Sequence, residues 1–436
     1  MALDLTKRIH SKEVQLRNDD EDVILAGWAS DIRNIGKIAF ITLRDREGTV
    51  QITVLADNAH FKTVAELTKE SVIAVHGKVK IGKLKSGAKE VVLHDLEVLS
   101  RSDPNLPIDI TGKIPTGLDK RLDNRFLDLR NPRNLAIFKI RSIINWSIRQ
   151  FLMKDGFIEM QTPKIISAGA EGGATLFPVI YYNKKAFLSQ SQQLYKQMML
   201  IAGFEKIFEI GPSFRAEKSH TMRHFTEFTQ LDFEMSFIND EDDVLKVLER
   251  LFVQVCKDVN ELCQEQLRIL GVTIDVPPLP FPRITHAECV ELLNAEGAKL
   301  TPDADLGIEE EKALGVIVKK KYKTDAYFIT KYPFSQRAFY IMNDKGVSRG
   351  FDFEFKGTEL VSGGQREHRH AILCKQIEEK GMTLANFTFY TDPFKYGAPP
   401  HGGFGMGIDR ITMKLLNLEN MREAALFPRD PERLVP

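Results

Sequence analysis

The side chains best placed to do chemistry lie in residues 206–237, KIFEIGPSFRAEKSHTMRHFTEFTQLDFEMSF. The second half of this segment alternates between two kinds of residue, which is typical of a β-strand. The apolar set comprises Phe225, Leu231, Phe233, Met235 and Phe237, and the polar set comprises Phe228, Gln230, Asp232 and Glu234. The first set predicts a core face, and the second predicts a face in contact with solvent or with a ligand.

Cationic residues precede this strand. Arg215 and Glu217 share one face by the two-residue period, and Arg223 and His224 follow in the intervening loop. Arginine binds phosphate through several N–H donors, and an aromatic ring such as Phe228 can stack on a base. The two strands therefore suit a bound nucleotide. By spacing alone, a solvated face with cross-strand ion pairs is an equally good interpretation.

A glycine-rich segment, HGGFGMGIDR at 401–410, leads into a predicted helix near the C-terminus. Glycines such as Gly407 permit close approach of the backbone to a ligand, and Arg410 can point back at phosphate. The segment matches neither the Rossmann fingerprint nor the P-loop. The preceding hairpin adds hard oxygen ligands of the kind that Mg²⁺ takes alongside phosphate, namely Asp352, Glu354, Glu359 and Ser362.

The composition is that of an ordinary globular protein. In 436 residues, 60 Lys and Arg balance 60 Asp and Glu, so polyanions cannot be bound by bulk charge and any nucleic-acid site must be a local patch. The four cysteines have no CxxC spacing, and no apolar run approaches the ~18 residues of a membrane span. These features predict a cytoplasmic protein without a membrane segment.

Two kinds of pattern follow along the chain. Residues 22–100 predict five short strands with a helix at 61–69, which fits a Greek-key barrel of the OB type, although a generic small β domain stays open. Residues 134–154 predict a long amphipathic helix, followed by long alternating strands with helices packed on them, an α+β arrangement. A proline-rich segment at about 268–330 predicts a small insertion.

Three segments together carry a family resemblance. They are the long helix followed by GFIEMQTP (Gly156–Pro163), the FRAE segment with its strand (Phe214–Glu234), and GxGxxR (Gly405, Gly407, Arg410). In this order they resemble the motifs of class II aminoacyl-tRNA synthetases, and the whole chain resembles the aspartyl-tRNA synthetases of the archaeal and eukaryotic cytosolic type. The resemblance implies a six-to-seven-stranded antiparallel catalytic sheet, a homodimer joined through the Pro163 motif, and an OB-fold domain that reads the anticodon.

The resemblance also implies a role for individual residues. ATP would be bound by Arg215, Glu217, Arg223, His224, Phe228, Glu359, Gly407 and Arg410, of which Arg215 and Arg410 would be catalytic. Mg²⁺ would be held by Asp352, Glu359 and Ser362. The aspartate substrate would be bound by Glu171, Ser191, Gln193, Lys196, Asp232, Ser362 and Arg366. The anticodon would be read by Phe40, Gln51 and Glu90, although alternation alone favours Phe40 as a barrel core residue.

The resulting prediction is an enzyme with three segments. An OB-fold anticodon-binding domain would occupy 1–102, a hinge 103–120 and the class II catalytic domain 121–436. The enzyme would activate L-aspartate with ATP and transfer it to the terminal 3′-hydroxyl of tRNA(Asp), while charging of tRNA(Asn) stays open.

Three other functions fit parts of the sequence. An asparaginyl-tRNA synthetase shares the ATP motifs, but Lys196 and Arg366 would face a neutral carboxamide without a counter-charge. An asparagine-synthetase-like amide ligase has no use for an anticodon reader. An inactive nucleic-acid-binding protein does not need the complete set of ATP-site residues.

Overall fold

The computed structural model describes residues 2–82, 87–167, 176–216 and 225–436. The chain divides into two compact units, Met1–Pro107 and Ile108–Pro436, and the division falls inside the segment 103–120 that the sequence marks as a hinge. Within the described ranges, no helix combines the length and the apolarity that crossing a membrane would require.

The first unit is a closed barrel of five described strands in the order β1-β2-β3-β5-β4, as the OB-fold prediction required. The alternating sequences form these strands because every second side chain can enter a common core. In the second strand, Ala39, Ile41 and Leu43 point inward and are fully buried. The elements are β1 (Asp22–Asn34), β2 (Ile38–Arg44), β3 (Thr49–Leu55), α1 (Phe61–Ala65), β4 (Val72–Ile81) and β5 (Lys89–Ser100).

The second unit is a large sheet with helices packed against it. Its helices are α2 (Leu118–Asp123), α3 (Arg125–Asp128), α4 (Pro132–Lys154), α5 (Gln193–Ile201), α6 (Glu241–Leu262), α7 (Gln264–Leu270), α8 (His286–Ala295), α9 (Ile308–Tyr322), α10 (His370–Glu379), α11 (Thr388–Thr391) and α12 (Ile408–Leu415). Its strands are β6 (Ile158–Glu159), β7 (Ile165–Ile166), β8 (Pro178–Tyr181), β9 (Lys184–Leu188), β10 (Lys206–Phe214), β11 (Glu227–Ser236), β12 (Arg283–Thr285), β13 (Ala326–Thr330), β14 (Asn343–Asp344), β15 (Val347–Ser348), β16 (Gly350–Phe355), β17 (Glu359–Gln365) and β18 (His401–Gly407).

The sheet has eight described strands in the order β12-β13-β16-β17-β18-β11-β10-β6. The six inner strands pair antiparallel, and a short parallel strand is added at each edge. The sheet thus has the expected antiparallel strands and one further short strand at each edge, β12 and β6. The segment 268–330, expected as an insertion, instead contributes β12 and β13 to the sheet, because its short apolar runs pair with strand β16 and with each other.

The main core lies between this sheet and helices α4 and α6. Helix α4 begins at an Asn131 cap with Pro132 in its first turn. On β11, Phe233 is fully buried and stacks on Phe404 of β18, with ring centroids 4.5 Å apart. Phe237, expected on the same core face, is 69% exposed because β11 ends at Ser236 and Phe237 has a left-handed φ of 57°.

Neighbouring residues of β2 give a matched pair that tests the orientation of the barrel strands. We expect Ile41→Ala to lower the free energy of unfolding of the barrel by about 2–5 kcal/mol, because it leaves a cavity in the core. Phe40→Ala should cost about 1 kcal/mol or less, since Phe40 lies on the outer face. Urea unfolding followed by Trp28 fluorescence in a Trp146→Phe background measures both, because these are the two tryptophans of the chain. A larger loss for Phe40→Ala than for Ile41→Ala would mean that β2 faces the other way.

Candidate active site

A cavity of about 360 Å³ opens on the catalytic unit, lined by residues of β11, β17, β18 and α12. It collects most of the residues that the sequence analysis assigned to ATP and to the amino acid. Those that line it are Ser191, Gln193, Arg215, Phe228, Asp232, Glu359, Ser362, Arg366, Gly407 and Arg410. Residues from five separate segments of the chain therefore meet in one space.

The polar face of β11 forms the floor of this cavity. Asp232 pairs with Gly405 across the β11–β18 ladder, and Glu234 pairs with Gly403. A Cβ atom at Gly403 would lie 2.0 Å from the carbonyl oxygen of Phe233 and 2.3 Å from a carboxylate oxygen of Glu234. Glycine is therefore required at 403, because a side chain there would displace either the strand or the carboxylate.

At one end of the cavity, cationic and aromatic groups lie together. The guanidinium of Arg215 is 5.2 Å from the ring centre of Phe228, within cation–π distance. Arg410 donates a hydrogen bond to the backbone carbonyl of Glu359 at 2.8 Å, and its guanidinium lies 3.5 Å from the Glu359 carboxylate. Such an end can accept a phosphate group and an aromatic base. Glu217, Arg223 and His224, assigned to the same ligand, lie outside the described residues.

At the other end, Asp232 and Arg366 line the cavity, and they form a buried quartet of charged side chains with Lys196 and Glu234, which are not among the lining residues. Arg366 donates to both Glu234 carboxylate oxygens, at 2.7 and 3.1 Å. Lys196 Nζ lies 2.9 Å from Asp232 and 3.3 Å from Glu234. Each of the four residues is at most 2% exposed. Burial alone would raise the pKa of Glu234, but the positive charges of Arg366 and Lys196 outweigh it and lower that pKa.

The quartet changes one inference from the sequence. Lys196 and Arg366 were expected to find their counter-charge in the substrate, and that was the ground for rejecting an asparagine substrate. That ground is wrong, because Asp232 and Glu234 neutralise both cations. The carboxylates were visible on the polar face of the strand, but their partners are 36 and 132 residues away in the chain.

Amide and hydroxyl groups complete this end of the cavity. Gln230 donates to Asp232 at 2.8 Å, which orients the carboxylate. Ser191 Oγ accepts a hydrogen bond from the backbone N–H of Gln193 at 3.2 Å, at the start of helix α5. Both Ser191 and Gln193 are buried yet line the cavity. The arrangement offers oxygen acceptors to an ammonium group. Glu171, assigned to the same role, lies outside the described residues.

The candidate metal ligands lie along β16 and β17, where Asp352 and Ser362 are cross-strand partners. Arg337 donates to both Asp352 oxygens, at 3.0 and 2.5 Å, and to Ser362 Oγ at 3.2 Å. Enclosure in the site and then the negative charge of Asp352 raise the pKa of Glu359, while Arg410 opposes the shift. Carboxylate and hydroxyl oxygens are the ligands that Mg²⁺ prefers, but both Asp352 oxygens are already paired with Arg337.

The three residues assigned to the anticodon lie on the outside of the barrel. Phe40 is opposite Thr53, and Gln51 is opposite Thr42, so Phe40 and Gln51 are diagonal neighbours on one face. Gln51 donates a hydrogen bond to Glu90 at 2.5 Å. Phe40 is half-buried on this outer face, so it is not the core residue that alternation alone favoured.

Comparison with known proteins identifies the family. Residues 117–431 match the family described as tRNA synthetases class II (D, K and N). The chain belongs to this class of aminoacyl-tRNA synthetases. Residues 23–99 match the OB-fold nucleic acid binding domain, and the predicted enzyme class and barrel are thereby confirmed. ATP, an amino acid and tRNA are the substrates of this class.

Individual relatives cover the whole synthetase chain. It is 46% identical to the aspartate–tRNA(Asp/Asn) ligase of Methanopyrus kandleri, over 99% of this chain and 100% of that protein. It is also 46% identical to the aspartate–tRNA(Asp) ligase of Pyrococcus abyssi, over 98% and 99%. Among solved structures, the asparaginyl-tRNA synthetase of Pyrococcus horikoshii complexed with asparaginyl-adenylate superposes with a TM-score of 0.92 and 34% identity, over 99% of this chain and 100% of that one.

Sequence reasoning about this synthetase missed Arg337. This residue lines the cavity and its guanidinium also lies 3.7 Å from the ring centre of Tyr332. It follows a short 3₁₀ turn at Phe334–Gln336, where no strand or helix periodicity marks which side chains face inward. Gln230 and Glu234 were also left unassigned, although their alternation with Asp232 placed them on the ligand face.

The buried quartet generates a stability prediction. We expect Glu234→Gln to lower the free energy of unfolding of the catalytic unit by about 3–5 kcal/mol at pH 7, because it leaves two buried cations with one carboxylate. The folded-state pKa of Glu234 is lowered from 4.5. Its contribution is therefore present above pH 4.5 and is lost as the pH falls through the folded value, so the difference from wild type should shrink on acidification.

Urea unfolding followed by Trp146 fluorescence in a Trp28→Phe background measures this loss. Glu309→Gln is a suitable control, since Glu309 forms an exposed ion pair with Lys312 and should change stability by less than about 0.5 kcal/mol. If Glu234→Gln is no more destabilising than the control, the quartet does not hold the unit together.

Proposed function

We propose that the chain is an aspartate–tRNA ligase, which forms aspartyl-adenylate from L-aspartate and ATP and transfers aspartate to the 3′-hydroxyl of the tRNA terminal adenosine. One observation carries the proposal: a single cavity has Arg215, Phe228 and Arg410 at one end and Asp232 with Arg366 at the other. The 46% identity to two aspartate–tRNA ligases along their whole length supports the choice of amino acid.

The first step needs charge compensation rather than a protein nucleophile. The aspartate α-carboxylate attacks the α-phosphorus in line, and pyrophosphate leaves. Two anions must approach, so the site acts by holding them in place and by supplying positive charge from Arg215 and Arg410. Phe228 would stack on adenine, and the contact between its ring and Arg215 keeps that guanidinium beside the nucleotide. Attack of the tRNA 3′-hydroxyl on the carbonyl of the adenylate then releases AMP.

Mg²⁺ is the proposed divalent ion. Glu359 and Ser362 would contact it directly, while Asp352 would hold Arg337, which in turn donates a hydrogen bond to Ser362 Oγ. Mg²⁺ commonly binds through one or two carboxylates together with substrate phosphates. When bound, the ion would offset the negative charge of the triphosphate.

Arg366 is the proposed reader of the aspartate side chain. Its hydrogen bonds to Glu234 use Nε and Nη2, so within the described residues the Nη1 donors are available to a substrate in the cavity. Arginine offers only hydrogen-bond donors. Both oxygens of the aspartate carboxylate can accept from it, whereas the NH₂ group of the asparagine carboxamide cannot. Asp232, with Ser191 and Gln193 beside it, would accept hydrogen bonds from the substrate ammonium.

Asparagine is the second candidate substrate. The quartet is electrically balanced without ligand, so a neutral side chain would leave no uncompensated charge. The similarity to the P. horikoshii asparaginyl-tRNA synthetase also favours this alternative. ATP–pyrophosphate exchange with aspartate and with asparagine separates the two. Exchange that depends on asparagine alone would overturn the proposed specificity.

The cavity yields a prediction about adenylate formation. We expect Arg215→Ala to reduce aspartate-dependent ATP–pyrophosphate exchange by at least ~10²-fold, because it removes a cation that stabilises the transition state. The melting temperature should not change. Arg250→Ala serves as a matched control, since Arg250 is a half-exposed arginine of helix α6. Unchanged exchange by the Arg215 variant would refute the assignment.

The barrel surface yields a prediction about tRNA charging. We expect Phe40→Ala to lose ~1–3 kcal/mol of stacking on an anticodon base, and Gln51→Ala to lose a base-edge hydrogen bond. Both should weaken charging of tRNA(Asp) but leave ATP–pyrophosphate exchange unchanged, because adenylate formation needs no anticodon. Parallel assays with tRNA(Asp) and tRNA(Asn) transcripts then decide which tRNAs are substrates. A loss of exchange equal to the loss of charging would exclude anticodon reading by these residues.

A homodimer is the proposed assembly. Large apolar side chains are exposed on and just after helix α4, including Met153 at 59% and Ile158 at 48%. Met153 lies just before the GFIEMQTP segment and Ile158 lies within it, and a two-fold interface requires such a self-complementary patch. We expect light scattering to give twice the chain mass of 49.5 kDa, and Ile158→Glu to shift the protein towards monomer. An active wild-type monomer would contradict this proposal.

A further inference from the structure

The barrel carries a group of potential metal ligands that the proposed aminoacylation does not use. Asp22, His76 and His94 lie on β1, β4 and β5, and each offers one ligand atom within 4.8 Å of the others. In the part of the chain that the structure describes, this is the one group of three His, Cys, Asp or Glu residues that meets this distance. All three side chains are accessible to solvent, with exposed fractions between 34 and 54%.

The ligand atoms converge on one point. Asp22 Oδ1 is 3.2 Å from His76 Nε2 and 3.9 Å from His94 Nδ1. The two imidazole rings are nearly perpendicular, with centroids 5.7 Å apart. Metal–ligand bonds of 2.0–2.1 Å in a tetrahedron place adjacent ligand atoms about 3.4 Å apart. Small side-chain rotations are therefore enough to bring all three atoms onto one ion.

The strand geometry explains how these residues come together. Asp22 pairs with Lys78, and Ile24 pairs with His76, so Asp22 and His76 are diagonal neighbours on one outer face. The β4–β5 ladder is irregular here, since His76 pairs with Asp95 and Gly77 pairs with Leu93. His94 is the extra residue of this bulge. A bulge changes the direction in which its side chains point, and this one brings His94 next to His76.

Two imidazoles and one carboxylate suit a borderline late first-row divalent cation such as Zn²⁺ better than Mg²⁺ or Ca²⁺. We propose that Asp22, His76 and His94 bind one Zn²⁺ ion at the barrel surface. Three protein ligands leave the fourth position to water or to an exogenous ligand, as in zinc sites that are not purely structural. The site joins three strands that are rigid parts of a closed barrel, so little ordering is needed on binding.

The charges next to the three ligands determine how tightly the site is expected to bind Zn²⁺. Lys78 is the direct cross-strand partner of Asp22 and opposes a bound cation. Asp95, opposite His76, favours a cation but is already paired with His60 at 2.7 Å. Lys78 and Asp95 act in opposite directions, and the three ligands are exposed to solvent. We therefore expect Zn²⁺ binding in the micromolar range rather than the much tighter binding of closed structural sites.

Calorimetric titration of the full chain with ZnCl₂ tests the site, in a non-chelating buffer with excess Mg²⁺ to occupy the oxygen-ligand site. We expect wild type to bind one equivalent that His76→Ala and His94→Ala each weaken at least about tenfold and the double variant abolishes. His60→Ala is the matched control and should still bind one equivalent of Zn²⁺. Co²⁺, used as a second probe, should give the visible absorption bands of a low-symmetry site in wild type and the control alone.

Three results would overturn the proposal: no zinc binding by wild type, unchanged binding by the double variant, or equal loss in the His60 control. The second result would direct attention to the His370–Cys374 pair, whose Nε2 and Sγ atoms are 3.4 Å apart. Aspartate-dependent ATP–pyrophosphate exchange should be the same in every variant, since none alters the catalytic unit. The zinc site and the proposed function can therefore fail independently.

Discussion

The catalytic unit is organised around the carboxylate of Glu234, which is fully buried on β11, an inner strand of the large sheet. A carboxylate in such a place is stable only if cations reach it and its oxygens are hydrogen-bonded. Arg366, directly after β17, and Lys196, on α5, meet both requirements. These contacts thus tie helix α5 and the residue that follows strand β17 to strand β11, across the intervening strand β18.

The same carboxylate limits what can lie beside it. Strand β18 can pair with β11 only because residue 403 has no side chain, and this close approach holds Gly405 and Gly407 along the edge of the cavity. Small residues on one strand and polar residues on the next leave an open space above the sheet. The cavity is therefore a consequence of glycine packing, and its polarity is a consequence of the quartet beneath it.

The charged residues of this protein act locally, because the chain as a whole has no net charge to attract a polyanion. The chain has no net charge, yet cations such as Arg215 and Arg410 are concentrated where an anion would bind, and a separate patch of Phe40, Gln51 and Glu90 lies on the barrel. A chain of this kind cannot attract nucleic acid from a distance by its overall charge. Recognition of tRNA must then come from short-range contacts at local patches of the surface.

Periodicity in the sequence determined the elements. The five barrel strands, helix α4 and strand β11 follow from alternation or from helical spacing, because the backbone geometry repeats every two or 3.6 residues. Motif order further determined the family, and most of the assigned ligand-binding residues do line one cavity. The direction of the Phe40 side chain needed the structure, since alternation says that two faces exist but not which one is inside.

Only the tertiary structure decided which charges are paired. Glu234 and Arg366 are 132 residues apart, and Arg337 meets Asp352 from an irregular turn, so no local pattern connects either pair. The contribution of 268–330 to the sheet, the exposure of Phe237 and the convergence of Asp22, His76 and His94 also depend on strand pairing between distant segments. Local spacing reports the shape of one segment, whereas a buried charge or a ligand site is a property of the several segments that surround it.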